Sequence, residues 1–419
     1  MLDRLLTEAP PSRATVPMEA AMVAMARSAQ GPRWRRSIAT VFASTVLVLA
    51  SLAGPAWAHP DGDTGAWCRD SRTTAQLETA ISTALRETGA PGVAVGVWGP
   101  HCRYEKAFGV ADEATGAPMR TDFYHRIGSE TKTFTVTGVL QLVDDGLVGL
   151  DDPIGDYVPG VPEGDRITLR QLARMQSGLF NYSEDEQFQL DLVTDPYRPF
   201  TPQELLGYAF AHPLDFPPGE GFHYSNTNTV LLGLVIERVS GLPLHEFIEE
   251  RVLQPLGLDD TSFPTDNAFP QPHAQGYTRT TLDGSEALAT DWNPSWGWAA
   301  GAMISTLDDM RTWARAVATG TLLEPETQAQ RLETVTPPGF NPGAGYGLGI
   351  FDAEGWIGHN GSLPGYQTLT VYLPEQHLTL VVMINTDVPG SDGETPSSAF
   401  GTAVTRVISP DHVFDLSPA

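Results

Sequence analysis

His125-Arg126-Ile127-Gly128-Ser129-Glu130-Thr131-Lys132-Thr133-Phe134 places a serine and a lysine three residues apart, where a glycine gives way to a helical pattern. Three residues is close to one helical turn, so Ser129 and Lys132 share a face at about 5–6 Å between Cβ atoms. A serine hydroxyl is a weak nucleophile until a base takes its proton, and a neutral lysine amine can be that base. Burial and the positive end of a helix both lower a lysine pKa. Two of the 25 Lys and Arg residues are lysine, Lys106 and Lys132, and 23 are arginine. Arginine does not give up its proton in a protein. The rare lysine at this spacing therefore predicts a base.

Working outward, Leu77, Ile81 and Leu85 recur every four residues between Ser71 and Gly89 and predict an amphipathic helix. Val93 to Trp98 and Cys102 to Val110 flank Gly99-Pro100 and predict two strands. Helical signals follow Phe134. One helix opens at Thr168 and ends at Gly178, and another opens at the capping box Thr201-Pro202-Gln203-Glu204. Others run from Asn228 to Ser240, from Pro243 to about Leu253, where Pro255 stops it, and from Thr306 to Thr319. Strand character returns in Gly345 to Phe351, Gly355 to His359, Tyr366 to Leu373 and Leu378 to Asn385, with a last helix from Ala399 to Ile408.

Strands at both ends with helices between predict an α/β fold of the α+β type. A mostly antiparallel sheet is built from both chain ends, with flanking helices and an inserted all-helical lobe. The expected division of residues 59–419 is a single catalytic domain, with a sheet lobe at 59–128 and 321–419 and a helical lobe at 129–320. Ser129 then falls at the junction between lobes, where clefts form.

Residues 1–58 read differently. Arg33-Trp34-Arg35-Arg36, an apolar run from Ile38 to Leu52 and the ending Ala56-Trp57-Ala58 describe a secretory signal peptide cleaved near Ala58, preceded by an upstream extension. The run is shorter than the ~20 apolar residues a membrane span needs. The expectation is a secreted protein with no membrane contact after cleavage. Cys68 and Cys102 lie beyond the cleavage point and are expected to form a disulfide in an oxidising compartment. A formal net charge of −26 excludes nucleic acid and anionic lipid as partners. His245-Glu246 lacks a matching ligand set, so neither metal nor cofactor is expected, and a monomer is.

Acyl transfer also needs a proton relay and donors for an oxyanion. Phe222-His223-Tyr224-Ser225-Asn226-Thr227-Asn228, at a helix start, and Gly358-His359-Asn360-Gly361-Ser362, beside a strand, can supply them. With Ser-x-x-Lys, Tyr-x-Asn and His-x-Gly in this order, the chain resembles the serine β-lactamase and penicillin-binding protein superfamily. Within it, the chain looks most like the secreted serine D-alanyl-D-alanine carboxypeptidases, kin of class C β-lactamases. Gln176-Ser177-Gly178-Leu179 and Ala300-Gly301-Ala302-Met303 add to the likeness.

The resemblance implies a β-lactamase/transpeptidase-like fold in which Ser129 is acylated, Lys132 is its base and Tyr224 relays protons. It places Asn226 on the substrate amide and the backbone N–H groups of Ser129 and Ser362 at the oxyanion. Asn360 lies between His359, which stands where many relatives have lysine, and Gly361, which lets the strand approach the substrate. Trp296 and Trp298 are expected to line the acyl pocket, with Phe188 beside them.

The resemblance departs at two points. The third motif carries a histidine in place of a permanent cation. Tyr346-Gly347-Leu348-Gly349-Ile350 is followed by Phe351-Asp352, where the carboxypeptidase relatives carry an arginine that grips the terminal carboxylate. The expected reaction is hydrolysis of a small peptide or ester substrate through an acyl-enzyme, with a covalent β-lactam adduct. The first expectation is a D-Ala-D-Ala carboxypeptidase or D-peptidase on peptidoglycan-type peptides; the alternative is an esterase of the same fold, then a β-lactamase. A non-catalytic module on this scaffold would be marked by loss of Ser or Lys, and both are present.

Overall fold

A computed structural model describes residues 70–391 and 393–416. The expected signal peptide and Cys68 lie outside the described residues, while Cys102 is disulfide-bonded.

Helix α1 (Ser71–Thr88) is capped by Asp70 and closed by Gly89 at φ 68°. Strands β1 (Gly92–Gly99), β2 (Cys102–Asp112), β3 (Ala117–Pro118) and β4 (His125–Arg126) lead to α2 (Thr131–Asp144). Helices α3 (Leu169–Ala173), α4 (Glu186–Thr194), α5 (Pro202–Phe210), α6 (Asn226–Ser240), α7 (Leu244–Ile248) and α8 (Gln254–Leu256) follow. Next come the short strands β5 (Tyr277–Thr278), β6 (Ala287–Leu288) and β7 (Ile304–Ser305), with α9 (Trp298–Gly301) ahead of β7. The chain ends with α10 (Leu307–Thr319), α11 (Pro325–Arg331), β8 (Ala344–Tyr346), β9 (Phe351–Ala353), β10 (Trp356–Leu363), β11 (Tyr366–Leu373), β12 (Leu378–Ile384) and α12 (Pro396–Ile408).

The main sheet has eight strands in the order β3-β2-β1-β12-β11-β10-β9-β8, every pair antiparallel. Val93 opposite Ile384 joins the first strand to the last, so the two chain ends complete one sheet, as the pattern predicted. Alternation sorts the side chains by face. Leu380, Val382 and Ile384 pack with Leu77, Ile81, Phe400 and Val404 of α1 and α12, while Val381 and Met383 pack in the other core with Met310, Trp313 and Val317 of α10. Covered on both sides, β1, β11 and β12 are buried almost throughout.

Three local readings are corrected. The helix opened by Thr168 stops at Ala173, because Met175 turns to φ 59° and Gln176 N–H returns to Gln171 O at 2.8 Å. Pro255 does not stop its helix. A π-helical turn at Glu249–Leu253 precedes it, and Gly257 ends the run. Proline cannot donate to the carbonyl four residues back, and Gln141 Nε2 donates to that carbonyl, Arg251 O, at 2.9 Å instead. The helix from Thr306 lies on the sheet rather than in the helical lobe, its Trp313 stacked on Phe134 of α2 at 3.9 Å.

Candidate active site

The nucleophile turn is held from both sides. Ile127 N–H donates to Met303 O at 3.0 Å, and Thr368 Oγ1 of β11 donates to Ile127 O at 3.1 Å. Gly128, at φ 54°, then opens a 3₁₀ turn, Gly128–Glu130, that runs into α2. Ser129 sits in that turn, where the first N–H groups have no intrahelical acceptor. Lys132 is fully buried one turn on, with Nζ 2.8 Å from Ser129 Oγ and 2.9 Å from Ala300 O. The carbonyl from α9 thus orients the amine toward the hydroxyl.

Tyr224 arrives on an extended segment ahead of α6. Met175 pins both its neighbours, accepting His223 N–H at its carbonyl, 3.0 Å, and Ser225 N–H at its sulfur, 3.5 Å. The Tyr224 ring lies 4.8 Å from Lys132 Nζ and is buried. Ser129 of the 3₁₀ turn, Lys132 of α2 and Tyr224 just ahead of α6 therefore come together.

The third motif lies on β10. Strand β9 pairs only with Trp356–Gly358, so residues 359–363 have a strand partner on the β11 side alone and turn their other edge toward the nucleophile turn. A Cβ on Gly128 would stand 2.7 Å from Ser362 N, so Ser129 N–H and Ser362 N–H, the two expected oxyanion donors, lie on neighbouring backbone. Gly361 meets the Ser129 turn directly. A Cβ there would lie 1.9 Å from Ile127 O and 2.5 Å from Thr368 Oγ1, so the glycine admits the nucleophile turn itself.

His359 opens this stretch of β10. Its ring is buried among Tyr224, Tyr346 and Phe351 at centroid distances of 6.0, 5.9 and 5.5 Å. Burial lowers its pKa to about 3, so the imidazole is neutral. Nδ1 lies 2.5 Å from Asn360 O, which can only accept, so Nδ1 carries the proton. Nε2, 3.2 Å from Tyr346 Oη, then accepts from that hydroxyl. Both nitrogens are taken up by protein.

Asn226 is buried at the start of α6, with Nδ2 donating to Ser183 Oγ at 3.1 Å and its N–H donating to Asn181 Oδ1 at 3.1 Å. The aromatic wall differs from expectation. Phe188 has no exposed surface and packs against Tyr182, Phe200, Tyr208 and Trp296, which makes it core beneath the site. Trp296 is the other half of that cluster and is 7% exposed. The Trp298 ring turns to α6, about where a Cβ on Gly233 would meet it at 3.0 Å.

Sequence reasoning missed Glu130. Its carboxyl is fully buried below the nucleophile turn beside Thr368 and Thr370, and burial raises its pKa to about 8, so it is protonated at neutral pH. An acidic residue between Ser129 and the lysine was visible, but its burial was not. Among the described residues no group of His, Cys, Asp and Glu side chains is arranged to hold a metal ion.

Comparison with known proteins places this geometry. The profile of the beta-lactamase family matches residues 77–400. A solved D-stereospecific amidohydrolase from Streptomyces sp. is 34% identical with a TM-score of 0.70, covering 76% of this chain and 96% of that one. The D-amino acid amidase from Ochrobactrum anthropi SV3, solved with L-phenylalanine amide, is 28% identical with a TM-score of 0.71, covering 81% and 98%. Esterase EstB of Burkholderia gladioli is 30% identical over 313 residues, 67% of this chain and 79% of that protein.

Proposed function

The chain belongs to the beta-lactamase family, and from that premise we propose that it is a secreted serine amidohydrolase, acylated at Ser129, whose substrates are D-aminoacyl amides or D-peptides that leave without a carboxylate. The observation that carries the choice of substrate is Phe351. Its buried ring lies 5.5 Å from the neutral His359, and it follows the Tyr346–Ile350 segment after which, by the resemblance, carboxypeptidase relatives carry an arginine. An apolar wall beside a neutral imidazole offers a leaving carboxylate no partner, and an unpaired buried charge is costly. This argues against strict D-Ala-D-Ala carboxypeptidase specificity. The similarity to a D-stereospecific amidohydrolase and a D-amino acid amidase supports the amide reading.

In the proposed reaction Ser129 Oγ attacks the acyl carbon as its proton passes to Lys132 Nζ, 2.8 Å away. The carbonyl becomes an oxyanion between the N–H groups of Ser129 and Ser362. Tyr224 hands a proton to the leaving nitrogen, the C–N bond breaks, and an amine departs from the Ser129 ester. Water repeats the sequence in reverse, leaving a carboxylic acid and free Ser129.

A second reading, an esterase on the same residues, is favoured by the similarity to EstB. Release of ammonia from D-phenylalaninamide and of phenol from phenyl acetate, each with wild type and Ser129→Ala, tests both. Amide turnover lost in S129A supports the proposal, ester turnover alone selects the esterase, and neither overturns both. Intact mass after exposure to a penicillin should show a covalent adduct on wild type only.

A further inference from the structure

The loop from His212 to Phe222 and the segment from Gln176 to Asp185 flank the strand-like stretch that delivers Tyr224. Backbone bonds join them: Asp215 N–H to Gly178 O at 2.8 Å and Gly219 N–H to Gln176 O at 2.9 Å. His212 Nε2 lies 2.7 Å from Asp185 Oδ2, its ring stacked on Phe180 at 3.9 Å. Between them stands His223, next in sequence to Tyr224.

The His223 ring bonds a carboxylate at each end, Asp215 of the loop at Nδ1 and Glu184 of the facing segment at Nε2, the latter at 3.1 Å. Ionised carboxylates only accept, so both ring nitrogens must donate, and a ring with two N–H groups is an imidazolium. Glu184 and Asp215 are the charged groups that act on it. Burial alone would lower its pKa, but the two carboxylates outweigh burial and raise it to about 10. Glu184 also accepts from Asn181 Nδ2 at 3.3 Å, and Asn181 Oδ1 accepts the N–H of Asn226. The clamp therefore reaches both members of the Tyr-x-Asn motif.

We propose that His223 is a positioning residue which, as a cation held between Glu184 and Asp215, fixes Tyr224 beside Lys132 for proton delivery to the leaving group. This rests on the reading of Ser129 as nucleophile and Tyr224 as relay. A glutamine cannot replace it, because its amide donates to one carboxylate and presents an oxygen to the other.

The test compares wild type, His223→Gln and His223→Arg on two aryl acetates. p-Nitrophenolate leaves without a proton, whereas phenolate needs one, so a displaced relay is felt mainly with phenyl acetate. H223Q should lower kcat/KM, which reports acylation alone, at least about tenfold on phenyl acetate and about threefold or less on p-nitrophenyl acetate. H223R should recover most of the loss. The advantage of wild type over H223Q should shrink as pH rises through about 10, where His223 loses its proton. Equal losses of kcat/KM on both esters, or a ratio independent of pH, would overturn the inference and leave His223 a structural residue. Should H223Q not fold, Glu184→Gln and Asp215→Asn, each removing one anion, carry the same comparison with the same deciding outcomes. Equal ester turnover by wild type and S129A would overturn the proposed reaction instead, independently of His223.

Discussion

Gly361 and the carbonyl of Ile127 approach so closely that a methyl group on Gly361 would stand 1.9 Å from that oxygen. Strand β10 and the nucleophile turn are thereby locked at one separation, and the distance between Ser362 N–H and Ser129 N–H follows from it. Gly361→Ala must push the two apart. It should destabilise the fold by about 1–3 kcal/mol through overpacking and lower kcat by about 10²-fold or more, because oxyanion donors act only at close range. Purified G361A with native stability and native kcat would show that the separation does not set the oxyanion site.

Lys132 is the second point of leverage. Arginine keeps the positive charge but cannot take the Ser129 proton, and a buried guanidinium would also lose the fit to Ala300 O. Lys132→Arg should reduce acylation by at least about 10³-fold, close to the effect of Ser129→Ala, since members of one catalytic unit are not additive. Pre-steady-state labelling of Ser129 with a fluorophosphonate measures it. A K132R rate within tenfold of wild type would leave charge, not basicity, as the function of Lys132.

The parts of this site that could be read from sequence are those carried by short motifs on one element. Ser129 and Lys132 share a helical turn, Tyr224 and Asn226 share the α6 start, and His359 to Ser362 share a strand. What could not be read depends on pairings across long sequence separations. The Ala300 carbonyl reaches Lys132 across 168 residues, and Tyr346 Oη spends the second nitrogen of His359. An aromatic near a catalytic motif suits either a wall or a core, and only the packing of Phe188 against Tyr182, Phe200, Tyr208 and Trp296 decides for the core. The amphipathic pattern of α10 fixed its apolar face but not its neighbour, which proved to be the sheet.

Two buried histidines predict acid sensitivity. Burial lowers the pKa of both His125 and His359 to about 3, against 6.5 for an unburied histidine. The unfolded chain therefore binds protons that the folded chain refuses as pH falls from 6.5 toward 3. Their stabilising contribution is complete above pH 6.5, and each loses about 1.4 kcal/mol per pH unit below it. Denaturant unfolding at pH 7 and pH 5 should show this loss, and His359→Gln should reduce it. An unchanged pH dependence in H359Q would mean that His359 is not neutral in the fold.

Glu130 acts with the opposite sign. Burial raises its pKa to about 8 from 4.5, so its contribution is complete below pH 4.5 and is lost as pH rises toward 8, again at about 1.4 kcal/mol per unit. Glu130→Gln should be more stable than wild type by a margin that grows from pH 5 to pH 8 and then levels. It should also steepen the acid loss between pH 6.5 and 4.5, which Glu130 partly offsets. Parallel stability curves for E130Q and wild type from pH 5 to 8 would show that this carboxyl ionises normally.

Substrate choice can be tested at the residue that argues for it. Phe351 is 1% exposed, with its ring 5.5 Å from His359 and 5.8 Å from Phe414. Phe351→Arg removes that packing and should cost about 3–5 kcal/mol, the range for losing a buried aromatic. The same change brings a guanidinium to the third motif, where it can bind a terminal carboxylate in a two-pronged, charge-assisted contact. Such a bond contributes about 1.5–3 kcal/mol, so release of D-alanine from an N-acyl-D-Ala-D-Ala peptide should rise at least about tenfold while D-phenylalaninamide turnover falls or stays level. The ratio of the two rates is the quantity to follow, because it is insensitive to the fraction of enzyme that remains folded. If folded F351R keeps the wild-type ratio, Phe351 does not exclude the carboxylate. Efficient D-alanine release by the wild type would place the enzyme among the carboxypeptidases, with another group binding the terminal carboxylate.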